Sequence, residues 1–208
     1  MSTSRNGRLI RAGDTQLYAV EHGPESALPL FVLHGGPGLD HTMFGSHLDL
    51  LAQTYRLVLV DGREQGRSER GTDPAGWTLQ QHARDVSALA ASLGVERYAV
   101  LGHSFGAFVA LQHAADFPGA AAATIVSSGV PSTRFLDAVE DALPLVTQPV
   151  LVLAGRFDRT CVPATSEQIA ALIPGSQLHV FEESGHMTFV EQEQEYLDVV
   201  RQFLDAAD

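Results

Sequence analysis

A short glycine-flanked turn between an apolar run and an alanine-rich run constrains this chain more than any other feature. The apolar run Tyr98–Leu101 is typical of a strand, and Gly102–Gly106 (Gly-His-Ser-Phe-Gly) leads from it into a helix. Two glycines without Cβ atoms allow the strand and the helix to approach closely. A strand, a G-x-S-x-G turn and a helix in this order are typical of a nucleophile elbow, which directs Ser104 toward a base. The alternative is an ordinary strand-to-helix loop.

Two later apolar runs end close to an acid and a base. The run Pro149–Gly155 is followed by Asp158, and Gln177–Phe181 is followed by a short loop that carries His186. Near-continuous apolar runs are typical of strands buried on both faces. We therefore predict a catalytic triad of Ser104, Asp158 and His186. In that triad His186 would take the serine proton, and Asp158 would hold the imidazole tautomer.

Other titratable residues compete for these roles. His179 lies inside a predicted strand, and His103 is expected to point away from Ser104 across the turn, so both favour packing. Asp137 and Asp141 are alternative acids, although a solvated helix face explains them better. Cys161 has no histidine beside it in sequence and is expected to pack.

A second glycine-rich turn supplies candidate oxyanion donors. The apolar run Pro29–Leu33 leads into His34–Gly38 (His-Gly-Gly-Pro-Gly), whose backbone N–H groups can face a developing negative charge. An oxyanion hole needs two donors, one from this turn and one from the residue after the nucleophile. We predict the amides of Gly36 and Phe105, with Gly35 as the alternative to Gly36. A plain Gly-Pro turn would also explain the segment.

Three turns together resemble the α/β-hydrolase superfamily, and within it the proline iminopeptidase branch of serine hydrolases. They are His34–Gly38, Asp61–Ser68 and Gly102–Gly106. The resemblance implies an α/β fold in which residues 1–208 form one three-layer α/β/α domain around a mostly parallel eight-stranded sheet. It also implies a serine hydrolase that acts on small esters, amides or short peptides, with no cofactor or metal.

The chain departs from that branch in two places. Glu64 occupies the first glycine position of the usual Asp-x-Arg-Gly-x-Gly-x-Ser turn. If that position needs a positive φ, either Glu64 is strained or the loop has moved. Members of the branch carry a helical cap after the sixth strand, but here only residues 129–148 separate the sixth and seventh strands. We predict that the cap is absent or reduced to one helix, near Thr133–Leu143. A natural lidless form and a deletion both fit.

The sequence leaves three functions open. The first is a cap-less serine hydrolase of broad specificity, and the second is an aminopeptidase in which Glu64 or Asp40 holds the substrate ammonium group. The third is a non-catalytic domain whose uncovered apolar residues drive self-association. The residues expected in that patch are Leu39, Phe44, Phe105, Val130, Met187 and Phe189.

Composition excludes several partners. The chain has 208 residues, 45 % of them hydrophobic, and a formal net charge of −12, with 25 acidic against 13 basic side chains. Nucleic acids and anionic membranes bind clustered basic residues, so neither is expected as a partner.

Segment 1–7 has no apolar core typical of a signal peptide, and no run is long enough to span a membrane. One cysteine cannot form an internal disulfide, so a cytoplasmic location is expected. No His-x-x-x-His spacing indicates a metal.

Alternating apolar strands and amphipathic helices indicate the element order. Strands are predicted over Arg8–Ala12, Gln16–His22, Leu30–His34, Arg56–Asp61, Arg97–Gly102, Ala123–Ser128, Val150–Ala154 and Gln177–Phe181. Helices are predicted over Thr42–Gln53, Leu79–Leu93, Phe105–Phe117, Thr133–Leu143, Pro163–Leu172 and Phe189–Ala206. The clearest helix start is the capping box that begins at Thr78.

Overall fold

Eight strands form one sheet in the computed structural model, which describes residues 7–71, 77–131 and 139–207. The strands are β1 (Gly7–Ala12), β2 (Thr15–His22), β3 (Pro29–Leu33), β4 (Arg56–Val60), β5 (Ala99–His103), β6 (Ala123–Ser127), β7 (Val150–Gly155) and β8 (Gln177–Phe181). Their order in the sheet is β1-β2-β4-β3-β5-β6-β7-β8. β2 pairs antiparallel with β1 and β4, and the other neighbours are parallel. The predicted fold class and mostly parallel sheet are confirmed.

Five α-helices accompany the sheet in the described part of the chain. They are α1 (Leu79–Ser92), α2 (Phe105–Asp116), α3 (Pro163–Leu172), α4 (Thr188–Glu191) and α5 (Glu193–Ala207). The start of α1 is the predicted one, since the Thr78 side chain accepts a hydrogen bond from the Gln81 N–H.

Three helix predictions need correction. The segment Thr42–Gln53 forms two short 3₁₀ helices, His41–Phe44 and Asp49–Gln53, because Gly45 takes a positive φ of 52° and ends the first. Of the predicted helix Thr133–Leu143, residues 133–138 lie outside the described residues, and a 3₁₀ helix spans Glu140–Leu145.

The third correction concerns the predicted helix Phe189–Ala206. This helix is split, because Gln192 leaves the helical conformation with a φ of −130° between α4 and α5. Its side chain turns back to accept hydrogen bonds from the Glu183 N–H and the Ser184 hydroxyl.

Alternate strand residues are buried on opposite faces of the sheet. In β3, Leu30 and Val32 pack in the cluster that contains the apolar face of α5, while Phe31 and Leu33 pack with α1 and α2. The strand β3 is buried at every position, as are β5, β6 and β7. Burial on both faces explains why these strands are continuous apolar runs. Helices on both faces of the sheet give the three-layer arrangement.

The apolar patch predicted for an uncovered site is smaller than expected. Phe44 and Phe189 are fully buried and pack against each other with ring centroids 5.2 Å apart, and Phe105 is 8 % exposed. The prediction of exposure is wrong for these three residues, because they fill the sheet-to-helix interface. Leu39 is half exposed. In the part of the chain that the structure describes, no helix combines the length and apolarity needed to cross a bilayer.

Candidate active site

Ser104 lies on a strained turn between β5 and α2. Its φ is 54° and its ψ is −115°, and its side chain makes no capping bond to the helix that follows. The glycines on either side are required by packing. A Cβ on Gly102 would lie 2.0 Å from the carbonyl oxygen of Gly106, and a Cβ on Gly106 would lie 2.2 Å from the carbonyl oxygen of Leu33. The turn therefore presents the hydroxyl at the carboxyl edge of the sheet.

The structure brings Ser104, Asp158 and His186 together. The His186 Nε2 atom lies 3.0 Å from the Ser104 Oγ, and its Nδ1 atom lies 2.7 Å from the Asp158 Oδ2. The other oxygen of buried Asp158 accepts the N–H groups of Thr160 and Cys161 at 2.7 and 2.9 Å. An ionised Asp158 makes Nδ1 the protonated nitrogen, so Nε2 is left to accept the serine proton.

The alternative acids and the strand histidine lie elsewhere. Asp141 is exposed in the 3₁₀ helix Glu140–Leu145, and Asp137 lies outside the described residues. His179 sits on the edge strand β8, where its Nε2 atom lies 2.9 Å from a carboxylate oxygen of Glu195. None of these described contacts reaches Ser104.

His103 packs beside the hydrogen-bonded group of Ser104, Asp158 and His186. It is fully buried, and its ring centroid lies 5.0 Å from that of His186 and 5.0 Å from that of Phe189. Its Nδ1 atom lies 3.2 Å from the Ser127 hydroxyl. Burial lowers the pKa of His103 to about 3, so the ring is neutral and forms part of the wall behind His186.

The two backbone N–H groups predicted to bind the oxyanion have no acceptor among the described residues. Neither the Gly36 N–H nor the Phe105 N–H donates a hydrogen bond to a described residue. The alternative donor, the Gly35 N–H, donates to the Met43 sulfur at 2.9 Å. Gly36 has a φ of 104°, a conformation that favours glycine. The N–H groups of Gly36 and Phe105 are therefore available to a ligand, whereas that of Gly35 already has a partner.

A network that the sequence analysis missed holds the loop after β3 against the loop after β4. The His34 Nδ1 atom lies 2.7 Å from the Gly35 carbonyl oxygen, and its Nε2 atom accepts the Gly62 N–H at 3.0 Å. Burial lowers the pKa of His34, which favours the neutral ring with its proton on Nδ1. Gln65 adds a third contact by accepting the Gly38 N–H at 2.8 Å. The only sequence signal was the adjacency of these side chains to the two glycine-rich turns.

Asp61 reinforces the same junction from β4. Its buried carboxylate accepts the His41 N–H and the Arg67 N–H at 2.8 Å each and lies 2.6 Å from the His41 Nδ1. Although burial acts to raise it, the pKa of Asp61 is held below its ordinary value by these hydrogen bonds. Nearby Glu64 has a φ of 59°, so the strain predicted for a residue in the usual glycine position is confirmed.

Among residues 7–71, 77–131 and 139–207, two groups of side chains have the composition of a metal site. They are Asp158, Cys161 and His186, and Asp40, His41 and Asp61, with ligand atoms within 4.8 Å of one another. In both groups an aspartate and a histidine already hydrogen-bond each other. Burial also raises the pKa of the Cys161 thiol to about 12, which disfavours the thiolate that metals bind. In each group, hydrogen bonding accounts for the contact between the aspartate and the histidine.

Residues 29–146 match the model of the alpha/beta hydrolase fold family, and the chain belongs to that family. It is similar to the proline iminopeptidase of Heyndrickxia coagulans, with 24 % identity over 264 aligned positions that cover 86 % of this chain and 91 % of that protein. The fold is similar to the crystal structure of proline iminopeptidase from Mycobacterium smegmatis, with a TM-score of 0.89, 23 % identity and coverage of 97 % and 98 % of the two chains. It is also similar to an esterase from Exiguobacterium antarcticum, with a TM-score of 0.85, 21 % identity and coverage of 96 % and 100 %. The resemblance inferred from the three turns is confirmed.

The alignment lengths bear on the predicted reduction of the cap. The match to the Heyndrickxia coagulans protein spans 264 positions, more than the 208 residues of this chain. That relative therefore contains residues with no counterpart here. A short chain of the same fold is consistent with a reduced cap.

Proposed function

We propose that this protein is a serine hydrolase that cleaves small esters or amides through an acyl-enzyme formed on Ser104. One observation carries the proposal. A continuous hydrogen-bonded relay runs from Asp158 through His186 to Ser104, at 2.7 and 3.0 Å, and the N–H groups of Phe105 and Gly36 donate to no described residue. A nucleophile, an oriented base and two oxyanion donors are the parts that acyl transfer needs.

The proposed reaction has two halves, acylation of Ser104 and hydrolysis of the acyl-enzyme, and the same groups act in both. The Ser104 Oγ attacks the carbonyl carbon while its proton passes to the His186 Nε2, and the oxyanion is bound by the N–H groups of Gly36 and Phe105. When the intermediate collapses, the leaving group takes that proton, and the acyl group remains on the serine. A water molecule then gives a proton to the His186 Nε2 as its oxygen attacks the acyl carbon. When this second intermediate collapses, the bond to the Ser104 Oγ breaks, the Oγ takes that proton back from His186, and the acid is released. Asp158 stabilises the transient imidazolium throughout.

The substrate preference follows from the proposed domain organisation, a single core domain in which residues 129–148 stand in place of a cap. Without cap walls the mouth excludes less water and selects fewer substrate features. We expect short activated esters to react faster than peptides. The single cysteine leaves no internal disulfide, and we propose a cytoplasmic location on that ground.

Replacing the nucleophile tests the proposal. We expect Ser104→Ala to lower turnover of p-nitrophenyl acetate by about 10³-fold or more, because no other group can form the acyl-enzyme. The exposed Ser92→Ala is the matched control and should retain full turnover. A fluorophosphonate probe should label the wild-type protein and the control, and leave Ser104→Ala unlabelled.

Two results would contradict the assignment. One is unchanged ester turnover in Ser104→Ala. The other is a folded wild-type monomer that the probe does not label, which would favour a non-catalytic scaffold.

An aminopeptidase for N-terminal proline is the second candidate, favoured by the sequence match to a proline iminopeptidase over 86 % of the chain. It requires an anionic group for the substrate ammonium. Asp40 already accepts the Thr42 N–H at 2.8 Å and caps a 3₁₀ helix, which leaves Glu64 as the freer of the two carboxylates named from the sequence. This contact makes Asp40 less suitable than Glu64 as the anchor for the substrate ammonium group.

A pair of substrates separates the two activities. An aminopeptidase should cleave proline p-nitroanilide and lose that activity when the amine is acetylated. An esterase should cleave an acyl ester of similar size and be indifferent to acetylation. Comparison of kcat/KM for the free and acetylated anilides measures the difference, and equal values would exclude the aminopeptidase.

A further inference from the structure

We propose that Glu191 is a positioning residue that holds the loop carrying His186 at the distance Ser104 requires. The inference rests on the proposed function, in which His186 is the general base. Glu191 itself touches neither Ser104 nor the site of the substrate carbonyl. It acts through the backbone on both sides of His186.

One carboxylate holds the two peptide units that flank the base. The Glu191 Oε2 atom accepts the Gly185 N–H at 2.6 Å, and its Oε1 atom accepts the Met187 N–H at 3.1 Å. Hydrogen bonds from N–H groups to an ionised carboxylate are stronger than neutral ones. Because the two donors lie immediately before and after His186, the pair fixes the direction in which the imidazole leaves the backbone.

The opposite side of the loop is held by Ser128. Its hydroxyl donates to the His186 carbonyl oxygen at 3.1 Å, and the residue is buried with a φ of 53°. A serine in this strained conformation persists when surrounding contacts hold it there. The neighbouring Gln192 binds the Glu183 N–H and the Ser184 hydroxyl of the same loop.

The break between α4 and α5 makes these contacts available. The helix α4 is a single turn that ends at Glu191, five residues after His186. Because the chain leaves the helical conformation at Gln192, the side chains of Glu191 and Gln192 both return to the loop.

The chemistry of the clamp calls for glutamate. A carboxylate offers an acceptor oxygen to each of the two N–H groups, whereas a glutamine side chain offers one oxygen and a donor NH₂ group. A displacement of a catalytic group by about 1 Å can lower a rate by about 10²-fold. We therefore expect Glu191→Ala to lower kcat for p-nitrophenyl acetate by about 10- to 100-fold with KM changed less than twofold. The kcat of Glu191→Gln should lie between those of the wild type and Glu191→Ala.

The matched control is Glu183→Gln. Glu183 lies in the same loop and carries the same charge, but its carboxylate makes no hydrogen bond to a described residue. This variant should retain kcat within twofold. A loss equal to that of Glu191→Gln would show that loop charge, and not the clamp, sets the rate.

Amide hydrogen exchange measures how firmly the loop is held, independently of enzyme activity. Hydrogen exchange at the Gly185 and Met187 amides should accelerate by at least tenfold in Glu191→Ala, while exchange in the central strands stays unchanged. Accelerated exchange throughout the chain would indicate a general loss of stability and overturn a positioning role. Unchanged exchange at the two amides, or a kcat within twofold of wild type, would also overturn it.

The same set of proteins keeps the two proposals apart. If the fluorophosphonate probe fails to label the wild-type protein, the proposed serine hydrolase function fails, and the exchange rates still decide whether Glu191 holds the loop. If the probe labels the wild type and labels Glu191→Ala at an undiminished rate, the serine hydrolase stands and the positioning role is wrong.

Discussion

Positive φ angles at residues other than glycine mark the functional edge of this protein. Among the described residues they occur at Glu64, Ser104 and Ser128, with values of 59°, 54° and 53°. Each follows a parallel strand directly or within a few residues, and those strands, β4, β5 and β6, end at the same edge of the sheet. Ser104 and Ser128 use the conformation to reach His186 from two sides. Glu64 has no such contact, so its strain serves no visible purpose.

Glu64→Gly should therefore stabilise the fold. Relief of the left-handed backbone conformation is worth about 1–2 kcal/mol, and the greater freedom of glycine in the unfolded chain takes back about 0.5–1 kcal/mol. The net gain should raise the melting temperature by about 1–4 °C, measured by thermal unfolding. The control Glu25→Gly, at an exposed position without a positive φ, should lower it or leave it unchanged. A lower melting temperature for Glu64→Gly would contradict the strain argument.

At the scale of elements, the loop after β3, which carries the proposed oxyanion donor Gly36, is held in place by hydrogen bonds from neighbouring elements. The loop after β3 contacts the loop after β4 through His34, Gln65 and His41. The loop after β4 is held in turn by α1, since Arg63 donates two hydrogen bonds to buried Asp85 at 2.8 and 2.7 Å. Hydrogen bonding to Asp85 raises the pKa of Arg63 further above its already high value, so the guanidinium stays charged at all ordinary pH.

Removing the acid of that pair should be costly. Among the described residues, Asp85→Ala leaves the buried Arg63 guanidinium with its contact to exposed Asp14 alone, and the free energy of unfolding should fall by about 3 kcal/mol. Urea unfolding measures the loss. Asp198→Ala is the control, because its ion pair with Arg201 spans 3.5 Å on the surface and contributes less than about 1 kcal/mol. Equal losses in the two variants would show that the Arg63 contact does not brace the loop.

At the scale of the whole molecule, the sequence predicts what is local and misses what depends on distant partners. Strands such as β3 and β7 are visible because burial on both faces requires an apolar residue at every position. The relay is predictable because parallel strands end at one edge, which gathers residues remote in sequence. The break at Gln192 was missed because it depends on contacts with the loop at Glu183 and Ser184. The fold can thus be predicted from the periodicity of apolar residues. The side chains that hold the site's loops in place cannot, because their partners are distant in sequence.

The connector between β6 and β7 makes the protein a natural platform for grafting. These two strands are already neighbours in the sheet, so their pairing does not depend on a long connection between them. It leaves the sheet at the edge where Ser104 and His186 meet. Lengthening a surface loop adds little closure entropy, so foreign helices spliced in after Val130 would reshape access to the nucleophile while leaving the relay beneath them unaltered. New substrate specificities can therefore be introduced by insertions at this one connection.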